Sequence, residues 1–262
     1  MGNQIRVLAD TFVRGAAVLF GSKLPEVLAV NPFRDWPAPE TPSLGSDDFY
    51  VAFEDAFRGT PATIATRQAQ YLPWIQEGVS ATGNLPVLDA GFGRGELLHT
   101  LRTEGITSRG IDLNAASCQA MAHEGFDVAC SDINTYLGKC HEATLSAVVS
   151  NSVIEHMEPA DASRFLSLAV RAVAPGGCVI IETNNPECAY ALGQFWLDLT
   201  HVRPYHALTV AFHLRTLGCA RTSIVYAAPV SRAHRVPGTS AANYQEYVVV
   251  GFKDDRVSDQ RR

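Results

Sequence analysis

From Leu85 to Phe252, apolar runs of strand length alternate with segments of helical period, and that alternation leaves few folds open. The strands are predicted at 85–90, 108–113, 127–132, 145–151, 178–183, 222–230 and 246–252, with helices between the first five. Strands that are apolar throughout need cover on both faces, and helical crossovers supply it. The expected fold is therefore α/β, a Rossmann-like doubly wound sheet of seven strands. The last two runs are joined by a loop containing Pro, Ser and Gly without a helix, so they should pair antiparallel at the sheet edge.

The first strand runs into VLDAGFGRGELL (87–98), with glycines at 91, 93 and 95. Glycine permits positive φ where the chain reverses and removes each Cβ that would hold a ligand away from the backbone. The spacing is G-x-G-x-G, whereas a dinucleotide turn needs G-x-G-x-x-G. Asp89 beside the turn would repel a pyrophosphate but receive an ammonium, which favours a cationic amino-acid ligand. Asp112 closes the second strand, where a carboxylate accepts ribose hydroxyls, a feature shared with nicotinamide proteins. Asp132 closes the third, within reach of an adenine amino group.

A chain of 262 residues is ample for one large domain with an N-terminal helical extension. A net charge of −6 argues against nucleic acid as the main partner. The six cysteines contain no C-x-x-C pair, which points to a reducing, cytoplasmic setting, and no apolar run is long enough for membrane insertion. Ile5, Leu8, Phe12, Ala16 and Leu19 repeat at helical spacing, as a stripe that packs on its own domain or, on the second reading, on a homodimer partner. Residues 31–48 hold four prolines and read as a linker or lid, and 49–75 read as two helices joined at Arg58-Gly59-Thr60-Pro61. The domain boundaries expected are 1–84 for a helical cap and lid, 85–253 for the sheet domain and 254–262 for a tail.

VLDAGFGRGELL, GIDLN (110–114), CSDI (130–133), SNSVIEHM (150–157) and APGGCVIIETNNPE (174–187), in this order, resemble the class I S-adenosylmethionine-dependent methyltransferases. The resemblance implies an antiparallel final strand and S-adenosyl-L-methionine as cofactor, held by Asp89, Gly91, Gly93, Asp112, Leu113, Asp132, Ile133 and Asn151. FYVAFEDAFRGTPATIATRQAQYLPWI (49–75) and FWLDLTHVRPYH (195–206) are similar to methyltransferases of bacterial glycans, including O-antigen mannans and methylated mannose polysaccharides. By that resemblance Tyr50, Arg58 and Arg67 close over the cofactor, and the acceptor is an oligosaccharide or glycan.

Methyl transfer to a hydroxyl is an in-line displacement that needs alignment and a proton acceptor. The fourth strand ends at Asn151 and delivers Glu155-His156 to the methyl group, so His156, which titrates near neutrality, is the expected base and Glu155 an acceptor contact. In WLDLTHVRP (196–204), Trp196 offers a stacking face, Asp198 and His201 hydroxyl partners, and Arg203 a forked anchor. Asp198 and His201 are alternatives to His156 as base. The same four groups, Glu155, His156, Asp198 and His201, would be the ligands if Mg2+ is a second cofactor. Ser152 stands where some relatives have the first glutamate of E-x-x-E-H, which weakens that set. Two competing activities stay open: methylation of a terminal sugar phosphate, and a nicotinamide-dependent oxidoreductase on the same sheet.

Overall fold

The structure is a computed structural model describing residues 49, 53, 57–238 and 241–254. The helix expected within 1–28, the proline-rich 31–48, Tyr50 and the tail after 254 lie outside the described residues. The strands are β1 (Val87–Ala90), β2 (Ser108–Asp112), β3 (Val128–Cys130), β4 (Leu145–Asn151), β5 (Val173–Asn184), β6 (Arg221–Pro229) and β7 (Tyr244–Phe252). They form one sheet in the order β3-β2-β1-β4-β5-β7-β6. The first five run parallel, and β7 lies antiparallel between β5 and β6. The expected pairing of the last two runs is present, and β7 also closes the open side of β5.

The helices are α1 (Pro61–Gln68), α2 (Leu72–Ala81), α3 (Glu96–Thr103), α4 (Ala115–His123), α5 (Ile133–Lys139), α6 (Pro159–Ala172), α7 (Ala189–Phe195) and α8 (Ala207–Thr216). Pleat alternation gives the sheet two apolar faces. Val87, Ala147, Val149, Cys178, Ile180 and Val248 pack with Tyr71 and Ile75. Leu88, Val148, Val179, Ile181 and Val249 face Phe165, Leu166, Val210 and Leu214 of α6 and α8. Tyr71 and Ile75 are both fully buried, so α2 is a layer over β4 and β5. Burial of a side chain such as Ile75 stabilises by about 1.5–3 kcal/mol.

Two local features place the site. The APGG stretch, which lies before the strand expected at 178–183, is taken into β5, which begins at Val173. Leu145 pairs with Val173 and Ala147 with Cys178, so a bulge absorbs the residues between. A Cβ at Gly177 would collide with the Ser146 carbonyl, so the bulge needs glycine there. The helix N-termini after β2 and β3 are capped from the strand ends: Asn114 Oδ1 accepts from Ser117 N–H at 2.9 Å, and Asp132 Oδ1 from Thr135 N–H at 2.7 Å.

Candidate active site

The glycine turn follows β1 with φ of +84°, +54° and +80° at Gly91, Gly93 and Gly95. A Cβ on Gly91 would collide with Val153 and one on Gly95 with Met121, so two of the three glycines answer to packing as well as to turn geometry. Gly93 N–H donates to Asp112 Oδ2 and Asn114 N–H to Asp112 Oδ1, each at 2.8 Å. Asp112 thus clamps the turn to the end of β2.

Asp89 and Asn151 are buried at the neighbouring strand ends, Ile133 is buried at the start of α5, and Leu113 is 71% exposed beside the turn. Burial, then repulsion by Asp112, pushes the Asp89 carboxyl up to about 8. Asp132 spends one carboxylate oxygen on its cap. The expected cofactor residues that are described therefore gather along the C-terminal ends of β1 to β4, apart from Arg58 and Arg67.

Arg67 on α1 donates to Glu246 Oε1 of β7 at 3.0 Å, and Arg58 lies in the electrostatic reach of Asp89, Glu155, Glu182 and Glu246. Glu182 and Glu246 project on one face of adjacent strands and were not anticipated. Burial raises both carboxyls, Glu182 well above the usual range with Glu246 adding to the rise, while Arg58 and Arg67 pull each of them back down. The signal was present: a glutamate inside the apolar run CVIIET has no cheap burial without a partner.

At the other end of the site, β4 leads through Ser152, held at φ +54°, into a single 3-10 turn over Ile154–His156. Glu155 is fully buried; its Oε2 accepts from Thr183 Oγ1 at 2.8 Å. Its backbone carbonyl accepts from Val202 N–H at 2.8 Å and Arg203 N–H at 3.2 Å. Burial lifts the Glu155 carboxyl to about 7. Glu155 therefore anchors the 196–204 loop on the sheet, while Trp196 is 62% exposed and the Arg203 guanidinium lies over the Tyr205 ring.

Thr200 Oγ1 donates to Asp198 Oδ1 at 2.6 Å and sits 2.9 Å from His156 Nδ1. Because the hydroxyl has one proton and the carboxylate none, the hydrogen-bond order runs from His156 Nδ1–H to Thr200 and from Thr200 to Asp198. That order leaves the lone pair on His156 Nε2. Burial, then the neighbouring His201, lowers the His156 imidazole to about 4, so it is neutral at physiological pH. His201 Nδ1 lies 2.7 Å from the Phe195 carbonyl, and its ring meets His156 edge-on at 4.6 Å. Thr200 was missed in the sequence although it stands between the two residues singled out.

Of the four expected metal ligands, Glu155, His156 and His201 bring donor atoms within 4.8 Å of one another. Asp198 is turned to Thr200 and stands 3.8 Å from His201 Nε2. One carboxylate with two imidazoles is a poor match for Mg2+, which prefers oxygen ligands, and suits a softer divalent ion.

The family model described as "methyltransferase domain" matches residues 87–177, from β1 into β5. A solved S-adenosylmethionine-dependent methyltransferase from Archaeoglobus fulgidus is 28% identical, with a TM-score of 0.70 over 79% of this chain and 100% of its own. The chain is an S-adenosylmethionine-dependent methyltransferase. A possible histamine N-methyltransferase from Thermotoga maritima has the same fold at 15% identity, with a TM-score of 0.57 over 79% of this chain and 97% of its own. No match is found among curated protein sequences. The methyltransferase has the class I sheet, and a nicotinamide-dependent oxidoreductase is not favoured. Its donor set fits the cofactor: an ammonium is the partner that would return the buried Asp89 to its charged form. Among the described residues, no helix of this methyltransferase is long and apolar enough to cross a membrane.

Proposed function

We propose that this methyltransferase transfers the methyl group to a hydroxyl of a carbohydrate acceptor, a mannoside being the best candidate. The observation carrying this reading is the His156–Thr200–Asp198 chain at the end of β4. A sugar hydroxyl is a weak nucleophile until it loses its proton, and His156 Nε2 is the lone pair placed to take it. Asp198, acting through Thr200, holds the imidazole in that tautomer and balances the charge that develops on it. Exposed Trp196 and Arg203 on the same loop suit a polar ring with an apolar face.

In this scheme Asp89 receives the cofactor ammonium and Asp112 its ribose hydroxyls. Asp132 and Ile133 flank the adenine, with Gly91, Gly93, Leu113 and Asn151 forming the walls. Arg58 and Arg67 close the site from the chain before the sheet.

A second reading rests on the Glu155, His156 and His201 cluster: a divalent ion held there would lower the acceptor hydroxyl's pKa as a Lewis acid. Transfer of labelled methyl to a panel of neutral and phosphorylated mannosides, with and without chelator, separates these. Turnover of neutral mannosides in chelator is expected. Transfer to phosphorylated sugars alone would overturn the acceptor class, and loss of activity in chelator would move the chemistry to the ion.

A further inference from the structure

The strand directions bring three chain segments to one rim. β5 ends at Asn184 beside Glu246, and β6 ends at Pro229 beside Tyr244. The segment from α7 to the start of α8 and residues 230–238 and 241–243 therefore both stand at the C-terminal end of the sheet, alongside His156. A ring contact of 4.7 Å between Tyr190 and His234 joins the two.

Two properties of this rim differ from the rest of the chain. Seven of the eleven exposed large apolar side chains among the described residues lie on these segments, from Tyr190 to Val202 and at Val236. Leu199 is 79% exposed and Trp196 62%, and Leu192, Leu197 and Val236 on the same segments are exposed as well. The same stretch is basic: residues 189–245 contain five arginines, no lysine and one acid, in a chain whose net charge is −6. That acid, Asp198, is turned inward onto Thr200. Arg221 is paired with Glu77 at the far end of β6, and Arg215 ends α8, leaving Arg203, Arg232 and Arg235 on the rim. The nearby Glu187 accepts from the Tyr226 hydroxyl.

We propose that this rim is a docking surface for an anionic lipid bilayer, so that the acceptor is met at a membrane face. Protruding leucines and a tryptophan set among arginines match the interfacial layer, where apolar side chains enter the headgroup boundary and cations meet anionic lipid. A nucleic-acid surface would have little use for exposed Leu199 and Leu192. Thr200 lies between Leu199 and His201, so whatever covers the rim comes to the methyl-transfer point itself. The proposal does not depend on which hydroxyl is methylated, and its test involves no turnover.

The test is co-sedimentation of the full chain with vesicles of phosphatidylglycerol mixed with phosphatidylcholine, against pure phosphatidylcholine, at about 0.1 M salt. Preferential pelleting with anionic vesicles is expected. Arg232→Glu with Arg235→Glu, and separately Leu199→Ser with Leu192→Ser, should each reduce it by about tenfold or more. Their S-adenosylhomocysteine affinity should stay at wild type, showing that the variants fold. Equal pelleting on neutral vesicles, or wild-type partition in both double variants, would overturn the proposal. So would indifference to vesicles with binding to polyglutamate, which would make the rim a surface for an acidic protein.

Discussion

The two ends of the site are built in different ways. Around β1 to β3 the cofactor end is made by backbone and by short-range caps: a carboxylate two residues from the amide it accepts, a cap three residues from its partner, a turn clamped by the next strand. Around β4 and β5 the acceptor end is made by side chains far apart in sequence, such as Thr183 with Glu155 and Thr200 with His156. In the first construction each bond ties one side chain to nearby backbone, so a single loss weakens the cradle and leaves the other bonds in place. On the proposed function, the second concentrates the chemistry in one imidazole and its support.

The strongest way to break this contrast is His156→Ala. Turnover should fall by about 100-fold or more while S-adenosylhomocysteine binds as before, as steady-state kinetics and calorimetry would show. A matched loss of cofactor affinity would mean that the two ends are one unit. Asp112→Ala should do the reverse, weakening cofactor binding by about 1.5–3 kcal/mol through loss of charge-assisted bonds.

A pH series sharpens the comparison further. The Asp89 carboxyl, raised to about 8, must lose its proton to receive an ammonium. Cofactor affinity should therefore rise as pH increases towards 8, by up to about tenfold per unit, and Asp89→Asn should flatten that slope. The catalytic limb should behave oppositely in position: His156, lowered to about 4, is already neutral at pH 6, so the acid fall in kcat should lie near or below pH 5. Thr200→Val should give a smaller drop in kcat and shift that limb, a change that mere loosening of the loop would not produce. The smallest effect expected is from Ser152→Gly, which relieves the positive φ at the end of β4 and should raise stability by up to about 1 kcal/mol in a denaturant titration.

Legibility in the sequence follows the same division. The strand order's raw material, the glycine turn and Asp112 could be read because each depends on period or on neighbours within a few residues. The position of His156 could also be read, since it follows a strand end directly. Thr200 could not, because its role exists only once the loop after β5 folds back onto the turn after β4. Glu182 and Glu246 are 64 positions apart in the numbering and meet only through the antiparallel pairing of β5 with β7. The entry of APGG into β5 was hidden for a related reason: Gly177 is accepted there because of the Ser146 carbonyl opposite, which no local pattern announces.

The place of β7 has a consequence for biogenesis. It is the final strand in chain order, yet it pairs on both sides, with β5 and with β6. Until residues 244–252 emerge during synthesis, β5 presents the backbone edge of an apolar strand and β6 has no seat in the sheet. The nascent chain thus carries a sticky edge late, a hazard for aggregation that a chaperone or rapid capture of the last strand must contain.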